Sequence, residues 1–339
     1  MTRRRTLPAL LATAALLLTG CAWGDSGEPL TRASHQKRQL NIDWATYNPL
    51  SLIIREKGWL EAALPDTKVN WIQSTGSNKA NENLRAGALD VGSTAGSAAL
   101  LARSNGSPIK AIDIFSQPDW SAIVVTKNSP ITEVKQLAGK KVAVTKGTDP
   151  YFFLLQSLDA AGVNQSQVTI ENLQHADGRV ALESHSVDAW SGLDPIMAAS
   201  QATAGSRLIY RNVAFNTYGF LDATESFLNK DPQTVQVVVD AYERARQWAE
   251  ANPDETARIL ATAAGIDMAV ARTTLGRTNL KVSPVPGAAQ DAVLKRVGPI
   301  FVRSQDVAGQ GIVDTALASL FAPTYASAAD PSRVGGTKQ

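Results

Sequence analysis

Three short polar stretches carry the residues best suited to bind something: Gly76-Ser77, Ala95-Gly96-Ser97 and Gly147-Thr148-Asp149. Each stands directly before a run with helical periodicity. The first N–H groups of a helix have no intrahelical partner, and the helix field there favours negative charge. Gathered at one point, three such junctions would cradle an oxyanion through hydroxyls and backbone donors, with no full counter-charge. Taken singly, each junction reads equally well as a helix cap. Thr148 or Asp149 can cap its helix, and Pro150 fits the first turn. Convergence of the three is what would make a binding site.

Catalytic chemistry finds less support. Lys146-Gly147-Thr148 lacks the glycine spacing and the Lys-Ser/Thr order of a phosphate loop, which disfavours a nucleotide enzyme. No Gly-x-Ser-x-Gly elbow occurs, so serine hydrolysis is disfavoured too. His175 and His185 lie ten residues apart with no adjacent carboxylate or cysteine at ligand spacing, so neither a metal nor a cofactor is expected and structural or solvent-facing roles suit them better. The 33 Lys and Arg residues are scattered among 31 carboxylates without a basic stripe, which argues against nucleic acid as a partner.

Single aromatic and acidic residues add candidates. Trp190 follows Val187-Asp188-Ala189 and precedes Asp194, where it either presents its ring or indole N–H at a cleft wall or packs into a core. Trp120 fits an entry or a hinge, Trp44 and Trp71 fit strand patterns, and Trp248 fits a helix face. Asp194 opens a helix with Pro195 and reads as a cap or as an acceptor that orients a neighbour, since its own charge would repel an anion.

The elements that must position these residues repeat one pattern. Strand patterns at 40–44, 69–73 and 89–93 each run into a small polar loop and then a helix. Asn48-Pro49 begins the first of those helices. Further strands are expected at 110–114, 122–126, 140–145, 168–171, 188–190 and 207–210, with helices at 151–160, 178–183 and 196–200. The strand at 122–126 is assigned to the first lobe. After a crossing back near 213–221 come successive helices at 226–229, 232–251, 254–263 and 268–275. This alternation predicts an α/β architecture with largely parallel sheets, whose ligands sit beyond the carboxyl ends of the strands. Two lobes joined by crossovers would face each other across a central cleft.

The chain ends carry a different kind of signal. Arg3, Arg4 and Arg5 precede an apolar stretch at 7–18 that is too short to span a bilayer as a mature helix, and Leu18-Thr19-Gly20-Cys21 follows. That reads as an export leader, residues 1–20, cleaved ahead of a lipid-modified Cys21. Several acyl chains can hold a protein at a membrane, each buried methylene contributing roughly 0.8 kcal/mol. Loss of the three arginines brings the formal charge of +2 to about −1 in the mature chain. With one cysteine, no intramolecular disulfide is available. Residues 21–39, which include His35, read as a spacer. The expected organisation is a first lobe from 40–125, a second lobe from 126–215, a return with C-terminal helices over 216–322 and a frayed tail over 323–339.

Taken in order, several segments resemble one family, the substrate-binding lipoproteins of ABC importers for nitrate, taurine and aliphatic sulfonates, with the aliphatic sulfonate branch nearest. The segments are Asn48-Pro49 with Lys57-Gly58-Trp59-Leu60, Leu84-Arg85-Ala86-Gly87-Ala88-Leu89-Asp90-Val91-Gly92-Ser93, Lys127-Asn128-Ser129-Pro130-Ile131 and Leu137-Ala138-Gly139-Lys140-Lys141-Val142-Ala143-Val144. Lys146-Gly147-Thr148, Val187-Asp188-Ala189-Trp190 with Asp194-Pro195, and Ala249-Glu250-Ala251-Asn252-Pro253-Asp254-Glu255 continue the likeness over roughly residues 40–320. It implies a two-lobe periplasmic-binding-protein fold with two crossovers, the type II class. It also implies that sulfonate oxygens meet donors from Ser74 to Ser77 (Gly76 among them), Ala95, Gly96, Ser97 and Thr148, with Trp190 next to the ligand and an organic tail toward Asn48 or Trp120; Asp149 and Asp194 stay site candidates on the residue reading alone. The sequence departs from the family at Thr94-Ala95-Gly96-Ser97, where many relatives place an acid, and this would relax the constraint on the far end of the ligand.

The resemblance implies a non-catalytic, monomeric receptor outside the cytoplasm, membrane-bound only through its lipid. It would capture a small anionic organosulfur ligand by closing its lobes and hand it to the permease. Taurine, nitrate, an aromatic sulfonate or a pyrimidine-like precursor is an alternative ligand, and a desulfinase-like enzyme or a sensory module an alternative role.

Overall fold

The computed structural model describes residues 38–335. The leader, Cys21 and nearly all of the spacer, with His35, lie outside the described residues, as does the end of the tail from 336 on. In the first lobe β1 (Arg38–Trp44) leads through α1 (Pro49–Lys57) and α2 (Trp59–Ala63) to β2 (Thr67–Gln73), α3 (Ser77–Arg85), β3 (Val91–Ala95), α4 (Gly96–Ser104) and β4 (Ile109–Pro118). The second lobe holds β5 (Ser121–Val125), β6 (Lys141–Val144), α5 (Asp149–Ala160), β7 (Thr169–Asn172), α6 (His175–Glu183), β8 (Ala189–Leu193), α7 (Ile196–Ala204) and β9 (Arg207–Tyr210). The chain returns as β10 (Gly219–Thr224), α8 (Glu225–Lys230), α9 (Pro232–Ala251), α10 (Pro253–Ala264), α11 (Met268–Gly276), the short β11 (Thr278–Asn279), α12 (Ala288–Arg303), α13 (Gln310–Leu320) and α14 (Thr324–Ser327).

Two sheets result, one of six strands in the order β11-β4-β10-β3-β1-β2 and one of five in the order β7-β6-β8-β5-β9. Each contains a parallel trio: β1 with β2 and β3, and β6 with β7 and β8. The crossing strands run the other way. β5 is antiparallel to β8 and β9, and β10 is antiparallel to β3 and β4. A strand that arrives from the opposite lobe enters its sheet from the hinge end, so its direction is opposed to that of strands fed by local helices. The sheets are therefore mixed, where the repeated strand–loop–helix pattern predicts largely parallel ones.

Local chemistry explains why the helices begin where they do. The Asn48 side chain accepts a bond from Ser51 N at 3.3 Å, Pro49 occupies the first turn of α1, and Gly58 at φ 62° ends it in the left-handed region, where a side chain would strain. The lobes share apolar packing as well as covalent crossings: Phe152 on α5 meets Phe301 on α12 with ring centroids 4.6 Å apart. The two crossings are themselves tied, since Arg211 donates to the carboxylate of Asp119.

Two expected boundaries are corrected. The strand expected near 122–126 belongs to the second lobe, because β5 pairs with β8 and β9, so the first lobe does not run to 125 and the crossing falls between Pro118 and Ser121. Alternation in the sequence shows a strand but not the sheet it joins. The described part of the expected tail, 323–335, is not frayed either. Ala326 and Val334 are buried, and Asp330 N donates at 2.9 Å to Asp240, a fully buried acid on α9 that Arg333 also reaches. The tail satisfies a buried carboxylate, which its Pro- and Gly-rich composition does not reveal.

Candidate functional site

The floor of the first lobe is a buried polar network. Asp43, with no exposed surface, accepts from Ser93 N at 2.9 Å and Ser93 Oγ at 2.8 Å, and burial pushes its pKa up to about 6. Asn48 donates to Ser93 Oγ at 2.7 Å and to the Tyr242 hydroxyl at 3.1 Å while its oxygen caps α1. Its amide is fully engaged and fully buried, so Asn48 does not receive a ligand tail. Ser74 is likewise buried beside this network.

The junctions at α4 and α5 do meet, but around the chain's own anion, with Ser77 of the α3 junction joined to them only through Ala95 N. The Asp149 carboxylate accepts from Ser97 Oγ at 2.7 Å, Thr217 Oγ1 at 2.5 Å, Thr217 N at 3.0 Å and the Trp120 indole at 2.8 Å. Around it, Ser97 N donates to Thr217 Oγ1, Gly96 N to Tyr218 O, and Ala95 N to Ser77 Oγ. The Thr148 hydroxyl donates to Thr145 O at 2.6 Å. A Cβ at Gly96 would lie 2.4 Å from Thr217 O, so the returning chain can approach α4 only over a glycine. Ser77, Ala95, Gly96, Ser97, Trp120, Thr148 and Asp149 thus meet as a helix-end cradle already filled, and their side chains do not open onto solvent.

Trp190 and Asp194 also turn inward. Trp190 lies on a central strand of the second sheet among Ala122, Val124, Ala143, Leu182 and Met197, with no exposed surface. A Cβ on Gly178 of α6 would meet its indole at 2.8 Å, so α6 lies directly on the ring and the core reading replaces the cleft-wall one. Asp194 accepts from Ala198 N at 2.9 Å and from Arg277 at 3.1 Å, which joins the second lobe to the end of α11. Burial pushes its pKa up to about 6, opposed by the Arg277 charge. It orients and bridges protein groups.

The open space between the lobes lies elsewhere. A cavity of about 680 Å³ is lined by Thr46, Gln73 and Thr75 from the first lobe, by His175, Arg179 and Pro195 from the second, and by the end of α10. There the N-termini of α3 and α6 face one another across the seam, and neither receives a side-chain cap. A Cβ on Gly76 would stand 3.0 Å from His175 Nε2, which places the two helix starts in near contact. Two uncapped helix starts, each with orphan N–H groups and a positive field, make an anion site without any lysine. Arg179 adds a guanidinium, held by Glu183 at 2.7 Å and by Thr203 Oγ1 at 2.7 Å.

A family model described as NMT1/THI5 like matches residues 51–256. The putative aliphatic sulfonates-binding protein of Bacillus subtilis (strain 168) is 31% identical, covering 79% of this chain and 81% of the relative. The chain belongs to this family of ABC-importer substrate-binding proteins. The corresponding Escherichia coli (strain K12) protein is 27% identical over 76% of this chain and 79% of its own length. Among solved structures, the alkanesulfonate-binding protein SsuA from Xanthomonas axonopodis pv. citri, bound to MOPS, superposes with a TM-score of 0.75 at 25% identity, covering 82% of this chain and 97% of that one. The family acts outside the cytoplasm with a membrane permease, and as a binding protein this chain is not an enzyme.

The interlobe cavity of this binding protein includes residues that the sequence reading did not assign to a site: His175, given there a structural or solvent-facing role, with Arg179, Thr46 and Gln73. His175 Nδ1 lies 3.2 Å from Thr145 Oγ1, whose proton goes to Leu173 O at 2.8 Å. Thr145 can therefore only accept, which sets the Nδ1–H tautomer and leaves a lone pair on Nε2. Burial pulls the pKa of this imidazole down to about 4, so it is neutral at pH 7. A usable signal existed: Gln174-His175-Ala176 follows β7 as the other small polar loops follow β2 and β6. The sequence reading starts that helix at 178, one turn late, and so leaves His175 outside it.

Proposed function

We propose that this chain captures aliphatic sulfonates in the cleft between its lobes and delivers them to its permease, with the sulfonate head held between the starts of α3 and α6. The observation that carries this reading is the approach of Gly76 to His175, which brings two uncapped helix N-termini from opposite lobes to one cavity. An anion bridging them would favour the shut arrangement, because its donors come from both sides. The cavity of about 680 Å³ exceeds what a bare nitrate needs and suits a head with an organic tail. The sulfonate-binding relatives support the ligand class.

The mature protein is a monomer tethered through acylated Cys21. Thermal shifts with ethanesulfonate, sulfate, nitrate and ethanol test the ligand class. A rise in melting temperature with the sulfonate and not with the alcohol is expected. Stabilisation by nitrate alone, or by none of the anions, would overturn it.

A further inference from the structure

Arg277, which caps the end of α11, grips the second lobe with its side chain and the first crossing with its backbone. Its guanidinium donates to the two oxygens of the Asp194 carboxylate at 3.2 and 3.1 Å and to Gln201 Oε1 at 2.7 Å, while its carbonyl accepts from Asp119 N at 2.7 Å. Asp194 N in turn donates to Trp120 O at 3.0 Å, so both ends of this contact abut the crossing. Gln201 stands about 10 Å of helix further along α7, where rotation of the lobes about the crossing would carry it away from α11. Along the same seam Val270 and Ile266 pack on Ala198 and Ala199 of α7, an apolar patch that parting of the lobes would expose to water. The buried Asp194 carboxylate depends on this contact, because Arg211, the other cation near it, is held by Asp119.

The clasp lies behind one wall of the interlobe cavity. Pro195, Ile196 and Ala199 from the second lobe line that cavity together with Ile266 from the first, while Arg277 and Gln201 lie outside it. Val180, 62% exposed, is also part of its lining, so the cavity reaches solvent beside α6 with the clasp in place. We propose that Arg277 is a positioning residue that holds the two lobes shut before any ligand arrives, so that the cavity is preformed and binding requires little closure. The inference goes beyond the sulfonate reading, since the clasp consists of protein groups alone. A protein whose competent state is already populated binds with its full intrinsic affinity, and one that must first close binds more weakly by the fraction that is shut.

Small-angle scattering of the full chain with and without ethanesulfonate, joined to isothermal titration, tests the clasp. The wild-type radius of gyration should change little when ligand is added. Arg277→Met keeps the length of the side chain and removes its charge. Without ligand this variant should scatter as a wider particle, and ethanesulfonate should return it to the wild-type dimensions, with affinity about tenfold lower if about a tenth of the variant is shut. Arg277→Lys keeps the charge without the fork and should recover part of the difference. Gln201→Ala, which leaves Asp194 paired, should shift both quantities less and in the same direction, and it decides the matter if Arg277→Met does not fold. Variants with wild-type dimensions in the absence of ligand would overturn the proposal, as would a wild-type chain that contracts on binding as far as Arg277→Met does. Failure of ethanesulfonate to bind would overturn the sulfonate reading, and the ligand-free dimensions would still decide the role of Arg277.

Discussion

Replacing Asp149 with alanine should destabilise the protein far more than removing an ordinary surface acid. The carboxylate accepts four bonds between 2.5 and 3.0 Å: two from Thr217, one from Ser97 and one from Trp120. Those donors come from the start of α4 and from both interlobe connections, so one side chain ties three separate segments to the start of α5. Hydrogen bonds to a charged group contribute roughly 1.5–3 kcal/mol each, but burial of the carboxylate opposes them and raises its pKa. Removing one member of a buried charged network costs about 3–5 kcal/mol, because the remaining partners are stranded away from water. At about 2–4 °C per kcal/mol for a chain of this size class, the melting temperature of Asp149→Ala should fall by roughly 6–20 °C. Asp149→Asn keeps the shape and some acceptor capacity, so it should lose about half as much. Urea unfolding at pH 7 followed by tryptophan fluorescence measures both. An alanine variant within about 1 kcal/mol of wild type would show that the filled cradle is incidental.

Two further outcomes follow from the same geometry. Gly76→Ala should leave the fold intact, since its backbone is extended, but the new methyl meets His175 and Asn78 at 2.8–3.0 Å and props the seam open. Ligand affinity should drop by about tenfold or more with unfolding stability changed by less than about 1 kcal/mol, and the reverse pattern in titration and denaturation would contradict the seam. Stability should also fall as pH rises from about 4 to 7, because burial raises Asp43 and Asp194 to about 6 and Asp222 to about 7, so the native state binds more protons than the unfolded chain in that window. His175, lowered to about 4, works in the opposite sense up to its unfolded value near 6.5. Asp222→Asn should reduce the loss between pH 4 and pH 8 by up to about 4 kcal/mol, and an unchanged slope in urea unfolding would refute the assignment.

The strand–loop–helix units were legible because their signals are local. Alternation marks β1 and β2, Asn48-Pro49 marks the start of α1, and the helix at 232–251 matches α9 end to end. The site was legible in kind and misplaced in position. Small polar residues at helix starts do gather, yet Asp149 reads from the sequence as a cap when its carboxylate reaches Ser97, 52 residues away, and Thr217, 68 residues away. The same limit applies to Trp190, whose neighbours in sequence suit a cleft wall or a core equally well. Only the layer of α6 over β8 decides between them.

Taken alone, then, the sequence determined the α/β architecture, the two-lobe family and a site that holds anions through helix starts, because periodicity, capping chemistry and ordered motifs are properties of neighbouring residues. The tertiary structure decided which helix starts stay free. Long-range pairing brings the carboxylate of Asp149 to the start of α4 and leaves α3 and α6 without side-chain caps across the cleft. Whether a donor is occupied depends on what the folded chain places opposite it, and no local pattern carries that information.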